Sequence, residues 1–297
     1  CTDYRSARQL RIAFFSQIAK MLCMNFFTRS IPILLGLLLA SGCNSDGLNT
    51  EQQAHLNSAL NAYRSNQTST ALEQCNVLLG SNPSSTRRGF LKARYLRALV
   101  NIRQNNPAAA RSDINMVIVG LNNPFMVRLP NQVDDLEVKS RDTLGELDFR
   151  EGNLAAAKTQ FAFVLKAIAP ESQPADHAAF RMGCIAQRLG EWSQGDTYFQ
   201  QLNYFKANSP MAVEAKTRSF ARAWSVQVGL YAEYSHATGH AARLTQAGWK
   251  ARCVLLTKNN KRRYALRVGQ WTTHDEAKRQ LLRLRTLQSD AFIIPSR

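Results

Sequence analysis

The sequence predicts a multidomain protein: an all-α array of helical hairpins over residues 51–217, followed by a small α+β domain of βαββαβ order over residues 218–297. Three observations predict it. Small residues recur at fixed offsets through the middle of the chain, as stacked helix pairs require. The last eighty residues read as two matching halves, each of them strand, helix, strand. The positive charge is concentrated in those same eighty residues.

At 297 residues the chain is long enough for two domains with a sizeable core. Its 45% apolar content argues against disorder of the whole chain. The net charge of +17 is uneven: residues 218–297 hold fifteen Lys/Arg against four Asp/Glu, a net of +11, while residues 1–42 carry +4 and residues 43–217 only +2. A compact domain so basic is suited to an anionic partner. Six cysteines, at 1, 23, 43, 75, 184 and 253, form no CxxC pair, and no His lies at ligand spacing from them, so neither a metal nor a cofactor is expected. Cys75, Cys184 and Cys253 sit in apolar patterns as small buried hydrophobes, with a disulfide between two of them left open.

The N-terminal 43 residues read as a leader and secretory signal. Met24-Asn-Phe-Phe-Thr-Arg29 is a short basic leader, and Ile31 to Leu39 an apolar core of nine residues, too short to span a membrane. Met21 or Met24 would begin a conventional signal, which makes residues 1–23 candidate untranslated sequence. Leu39-Ala-Ser-Gly-Cys43 is a small-residue cleavage site that resembles a bacterial lipobox, with Ala40 where Leu is usual. That resemblance implies that Cys43 becomes the mature N-terminus and carries the lipid, palmitate included, that anchors the protein to a membrane. Asn44 rather than Asp after the cysteine favours the outer membrane. The low-complexity run 44–50 suits a flexible tether. Export also removes nucleic acid from the expected partners.

In the middle region the clearest copy of the repeat runs Leu144-Gly145, Gly152, Ala157, Phe161, Pro170, and a second runs Met182-Gly183, Gly190, Gly195, Phe199, Leu202, Pro210. Weaker copies are Ala59, Asn66, Ala71, Leu78, Pro83 and Ala98, Asn105, Ala110, Ile114, Pro124. A small residue on the first helix lets its partner approach. Gly or Asn seven residues later takes the left-handed turn between helices. Ala or Gly five further on sits where the helices touch, and a bulky residue fills the layer. The pattern resembles the tetratricopeptide repeat, with connections lengthened most around residues 122–135. It implies either a concave groove that holds a peptide or a protein partner, or a scaffold that serves as a spacer. Arg87-Arg88 with Lys92 and Arg94 forms a basic cluster that a solvated face explains equally well, and Asp134-Asp135 with Glu137 reads as a loop charge cluster.

In the terminal domain the halves are Trp224-Ser-Val-Gln-Val-Gly-Leu230 with Lys250–Leu256, and Tyr264-Ala-Leu-Arg-Val-Gly-Gln-Trp271 with Asp290–Ile294. Strand alternation places Val226, Val228 and Leu230 on one face and Gln227 on the other. Tyr264, Leu266 and Val268 likewise oppose Arg263, Ala265 and Arg267. Thr273-His-Asp-Glu276 reads as a capping box, opening a helix whose Ala277, Leu281, Leu284 and Leu287 form its apolar side. Both helices then cover the Val/Leu face, and the other face stays open as a polar, basic platform. The doubled motif resembles the SPOR (sporulation-related repeat) domain across residues 224–294. That resemblance implies a ferredoxin-like βαββαβ domain that binds peptidoglycan, preferring glycan strands stripped of their peptides, on proteins of cell division and wall remodelling. Stripped glycan presents hydroxyls, acetamides and one lactyl carboxylate per disaccharide. Gln227 can exchange hydrogen bonds with the first two, and Arg263 and Arg267 can fork onto the carboxylate. Trp271 or Tyr231 is the candidate aromatic for a sugar face, whereas Trp224 is assigned to packing at the domain boundary.

An RNA-binding domain shares the strand order, but its third strand would be rich in aromatics, and here it reads Ala-Leu-Arg-Val-Gly. Against a wall hydrolase, residues 51–217 are accounted for by helical repeats and hold no nucleophile elbow, zinc helix or Gly-rich phosphate loop, and the five histidines are scattered. No catalytic residue is expected. The remaining alternatives are an envelope scaffold whose terminal domain binds protein, and an accessory subunit of a wall hydrolase.

Overall fold

The structure, a computed structural model, describes residues 46–123, 133–258 and 261–297. The predicted leader and signal over 1–43, the predicted lipidation residue Cys43 and the predicted repeat-closing Pro124 lie outside the described residues. Among these residues, no helix is long and apolar enough to cross a membrane.

Nine helices of the array are described: α1 (Thr50–Arg64), α2 (Thr68–Ser81), α3 (Arg88–Arg103), α4 (Pro107–Leu121), α5 (Asp135–Glu151), α6 (Leu154–Ala167), α7 (Ala175–Arg188), α8 (Trp192–Lys206) and α9 (Pro210–Arg218). Four hairpin turns repeat one geometry. Asn66, Asn105, Gly152 and Gly190 all adopt positive φ, at 60°, 59°, 88° and 80°. In each, the next N–H reaches back across the helix end: Gln67 to Ala62 O, Asn106 to Asn101 O, Asn153 to Asp148 O and Glu191 to Ala186 O, all at 2.8 Å. This is the Schellman closure, which satisfies carbonyls that the helix end would leave unpaired. The small residues do what their spacing predicts. A Cβ on Gly145 would lie 2.9 Å from the Phe161 ring, and one on Gly183 would lie 2.4 Å from Phe199. Ala71, Ala110 and Ala157 are wholly buried.

The chain divides into two compact units. The first, among described residues, runs to Met182 and includes Phe205–Met211. Its core includes Ala98, Ala110, Ile114, Leu144 and Leu147. Residues 46–49, predicted as tether, pack onto α3: Lys92 pairs with Asp46 at 2.7 Å, Arg87 donates to Gly47 O, and Leu48 fills the space over Gly89. The basic residues of α3 are therefore partnered and form no free basic face. Arg88 pairs with Asp134, and Arg94 is buried 4.0 Å from Asp113. The predicted acidic loop cluster also becomes structure. Asp134 caps α5 by accepting from the Leu136 N–H, and Glu137 is buried against Arg141.

The second unit comprises Gly183–Tyr204 and Ala212–Arg297. Its sheet is formed by β1 (Ala223–Tyr231), β2 (Ala251–Lys258), β3 (Lys261–Trp271) and β4 (Phe292–Ser296), with α10 (Tyr234–Gln246) and α11 (His274–Arg285) as the crossovers. Strand order is β2-β3-β1-β4, with every neighbour antiparallel. Val226, Val228, Leu266 and Val268 meet Leu244 of α10 and Leu281 and Leu284 of α11 in one core. Thr273 caps α11 by accepting from the Glu276 N–H. Leu287 lies beyond the end of α11 and is 56% exposed, so it does not extend the apolar side as predicted. Within the same unit Trp224 packs against Trp192 of α8, with ring centroids 5.4 Å apart, and donates to Gln187 O.

Two bulges interrupt the sheet, both next to a glycine of the doubled motif. In β1 the register slips between Gln227 and Gly229, so Val228 and Gly229 together oppose Leu266. In β3 it slips between Val268 and Trp271, where Gly269 takes φ +67°. Each slip reverses the side-chain parity beyond it. Leu230, predicted for the helix side, therefore pairs with Ala265 on the open face.

Candidate functional site

The helices leave one face of the sheet open, and paired residues share that face. One register row crosses all four strands: Arg252 opposite Arg267, Arg267 opposite Gln227, and Gln227 opposite Phe292. All four side chains are half-buried. One row along lie Val254, Ala265 and Leu230, and a further row on lies Arg263 beside Leu256. On the other flank Ser225 is fully buried. It donates to Gly269 O and meets the Ser296 hydroxyl, each at 2.8 Å, which ties β3 and β4 to β1 beside the row.

Of the residues singled out from sequence, the sheet brings Gln227 and Arg267 into direct register. It holds Arg263 four residues along β3, about 13 Å away along the strand. Trp271 is not with them. The Gly269 bulge returns it to the helix side, where its indole lies over Gly269 and packs on the core. A Cβ on Gly269 would meet that ring at 2.2 Å. Tyr231 makes the same crossing in β1. Its ring covers Gly229 and its hydroxyl bonds His240 Nδ1 on α10. The open face is also less polar than predicted, because Val254, Leu256, Leu230, Phe292 and Ile294 share it with the arginines.

Beyond those aliphatic residues, Arg252, Phe292 and Gln270 of this face also went unread in the sequence. Alternation within Lys250–Leu256 separates Arg252 from Cys253, but only the inter-strand register places it beside Arg267. Gln270 is carried to the open face by the Gly269 bulge. With its amide turned to satisfy both groups, its oxygen accepts from both Nη atoms of Arg252, at 3.0 and 3.2 Å. Burial, and then the neighbouring charge of Arg252, push the Arg267 guanidinium below its ordinary pKa. The Nε atoms of both arginines are buried without a hydrogen-bond acceptor. A guanidinium pair of this kind, followed along the row by an amide and then an aromatic, can bind a planar anion and a hydroxylated, partly apolar ligand.

The helical array holds one titratable cluster that the scattered histidines did not announce. His177 on α7 places Nδ1 2.9 Å from Asp142 and Nε2 3.4 Å from Glu146, both on α5, and Arg181 reaches Glu146 at 2.6 Å. Burial disfavours the charged imidazole, but Asp142 and Glu146 outweigh it and hold His177 at about 9. Burial pushes the Asp142 carboxyl up, with His177 opposing. Glu146 is pulled well below the carboxylate range, since Arg181, His177 and Arg150 outweigh its burial. With a carboxylate at each ring nitrogen, the imidazole has no free nitrogen with which to activate a nucleophile. Among the described residues no group of three or more His, Cys, Asp or Glu is arranged to hold a metal ion. Cys75, Cys184 and Cys253 are free, and burial pushes Cys75 to about 12.

No curated protein matches the chain. Among solved structures, the crystal structure of MamA protein aligns over 56% of this chain and 82% of that one, at 12% identity and a TM-score of 0.41. The family model of the SPOR domain matches residues 221–295, a span that contains all four strands except the final residue of β4. The chain thus carries a SPOR domain, a binding and not a catalytic module, behind a region of helical hairpin repeats.

Proposed function

We propose that this is a non-enzymatic cell-envelope lipoprotein that binds peptidoglycan through residues 218–297, specifically glycan strands stripped of their peptides. The observation that carries the reading is the direct register of Gln227 and Arg267 on the open face of a sheet within the SPOR-matching segment. An amide beside a guanidinium suits acetamido and carboxylate groups on one strand of sugar. The tetratricopeptide-like array serves as a scaffold for a protein partner, and Cys43 carries the lipid that holds the protein to the outer membrane facing the wall. A role in cell division or wall remodelling follows from a module of this kind on an anchored scaffold.

The test is a pull-down of the full chain with purified sacculi before and after amidase treatment. Binding should rise after amidase. The Gln227→Ala/Arg267→Ala double variant should lose that rise while keeping its circular dichroism and unfolding midpoint. No binding by the wild type to either preparation would overturn the glycan reading and leave the terminal domain to a protein partner. For the anchor, labelled palmitate should appear on the wild type and vanish in Cys43→Ala.

A further inference from the structure

The Arg252–Arg267 pair is costly as it stands. Two like charges sit directly opposite on adjacent strands, an arrangement that destabilises a sheet. Neither Nε has an acceptor, although both atoms are buried. Gln270, and at 3.5 Å the Arg297 O, satisfy the outer edge of Arg252, and neither reaches the Nε atoms. What would relieve both guanidinium groups at once is an anion with two oxygens in one plane, bridging them by charge-assisted hydrogen bonds.

The row continues beyond the pair. Gln227 follows on β1 and Phe292 on β4, so the four residues span three inter-strand steps, about 14 Å in all. A ligand following this row runs across the strands and meets, in order, two guanidinium groups, an amide and an aromatic ring. We infer that Arg252 and Arg267 together seat a free carboxylate of the ligand, at one end of a binding track that crosses the strands and ends on Phe292.

The inference rests on the glycan reading and gives it a chemical basis for preferring stripped strands. In a peptide-bearing strand the lactyl carboxyl is tied up as an amide, which is neutral and offers one acceptor oxygen. Removing the peptide releases a carboxylate with two. A guanidinium pair whose Nε atoms lack acceptors, and which pairs with no Asp or Glu side chain among the described residues, distinguishes these states by charge, whereas Gln227 and Phe292 meet groups that peptide removal leaves unchanged.

The experiment uses amidase-treated sacculi in two forms, one with free lactyl carboxyls and one whose carboxyls have been converted to methylamides. The full chain should bind the free form about ten-fold more tightly, the scale of a hydrogen bond to a charged group. Arg252→Gln should bind both forms alike, at the weaker level. Phe292→Ala should weaken both equally and keep the preference. Equal binding of the two forms by the wild type would overturn the carboxylate seat while leaving glycan binding intact. So would an Arg252→Gln variant that keeps the preference. Binding of neither form by the wild type would overturn the glycan reading itself, and the seat with it. Circular dichroism and unfolding midpoints of both variants at wild-type values are the condition for scoring them; a variant that unfolds is replaced by Arg252→Lys, which keeps the charge but not the fork and should retain part of the preference.

Discussion

Replacing His177 by Leu would leave the Asp142 carboxylate buried on α5 without its partner. In the wild type Asp142 is 9% exposed and takes both of its close contacts from the imidazole, at 2.9 and 3.0 Å. Removing one side of a buried pair of this kind costs about 3–5 kcal/mol, because the remaining charge stays desolvated. The upward pull on His177, from 6.5 to about 9, has the stabilising sign, and the upward push of burial on Asp142 offsets part of it. The edge-on contact with Phe161, at 5.7 Å between centroids, is replaced by aliphatic packing, so it adds little. The folded pKa lies above the unfolded one, so the stabilisation is complete below about pH 6.5 and is lost as the pH rises through about 9. Glu146 has the opposite sign: its contribution is present above the ordinary 4.5 and is lost as the pH falls below it. Urea unfolding of wild type and His177→Leu should therefore differ most between about pH 5 and 6.5, and the difference should shrink toward pH 9 as the imidazolium loses its proton. Adding Asp142→Asn should recover part of the loss by removing the stranded charge. A difference below about 1 kcal/mol at pH 6, or one that does not shrink on the alkaline side, would refute this account.

Gly152→Ala tests the turn geometry without a packing term, since nothing lies within 4 Å of the added methyl and φ is +88°. It should cost about 1 kcal/mol in thermal or urea unfolding. Gly269→Ala adds to comparable backbone strain, at φ +67°, a methyl driven into the Trp271 indole. It should cost about 2–4 kcal/mol. Trp271→Leu should lower the stability of the terminal domain by about 2 kcal/mol, because the ring is part of the helix-side core. At temperatures where the variant is folded, its binding to amidase-treated sacculi should stay within about two-fold of wild type; a loss as large as that of the Gln227→Ala/Arg267→Ala double variant would put the indole at the ligand after all.

What could be read in the sequence was whatever depends on local chemistry. Asn66, Asn105, Gly152 and Gly190 announce four turns because only those residue types sit comfortably at positive φ, and all four adopt it. Gly145 and Gly183 announce close helix approaches for an equally local reason: a side chain there would collide with Phe161 or Phe199. Alternation assigns Gln227, Arg263 and Arg267 to one side of the sheet because parity runs unbroken up to those positions. Contacts that depend on how separate elements meet are not written in any one of them. His177 gains its carboxylates from a helix thirty-five residues upstream, and Arg252 meets Arg267 only through the β2–β3 register.

The misplaced aromatics belong to neither group, because their signal was present. A glycine inside an otherwise regular strand marks a bulge or a close approach. Each half of the doubled motif has one, Gly229 and Gly269, with an aromatic two residues later. Simple alternation sends Tyr231 and Trp271 to the open face beside Gln227 and Arg267. The bulge at each glycine reverses that parity, and the missing Cβ leaves room for the returning ring, which would otherwise be met at 2.7 Å over Gly229 and 2.2 Å over Gly269. The glycine and the aromatic are one device. It closes the hydrophobic core at both ends of the central strand pair, and by the same parity change it delivers Leu230 and Gln270 to the open face. The aromatic left on the open face in the row of Arg252, Arg267 and Gln227 is then Phe292 of β4, a strand outside the doubled motif's central pair, and the row it ends is set by register and not by the motif.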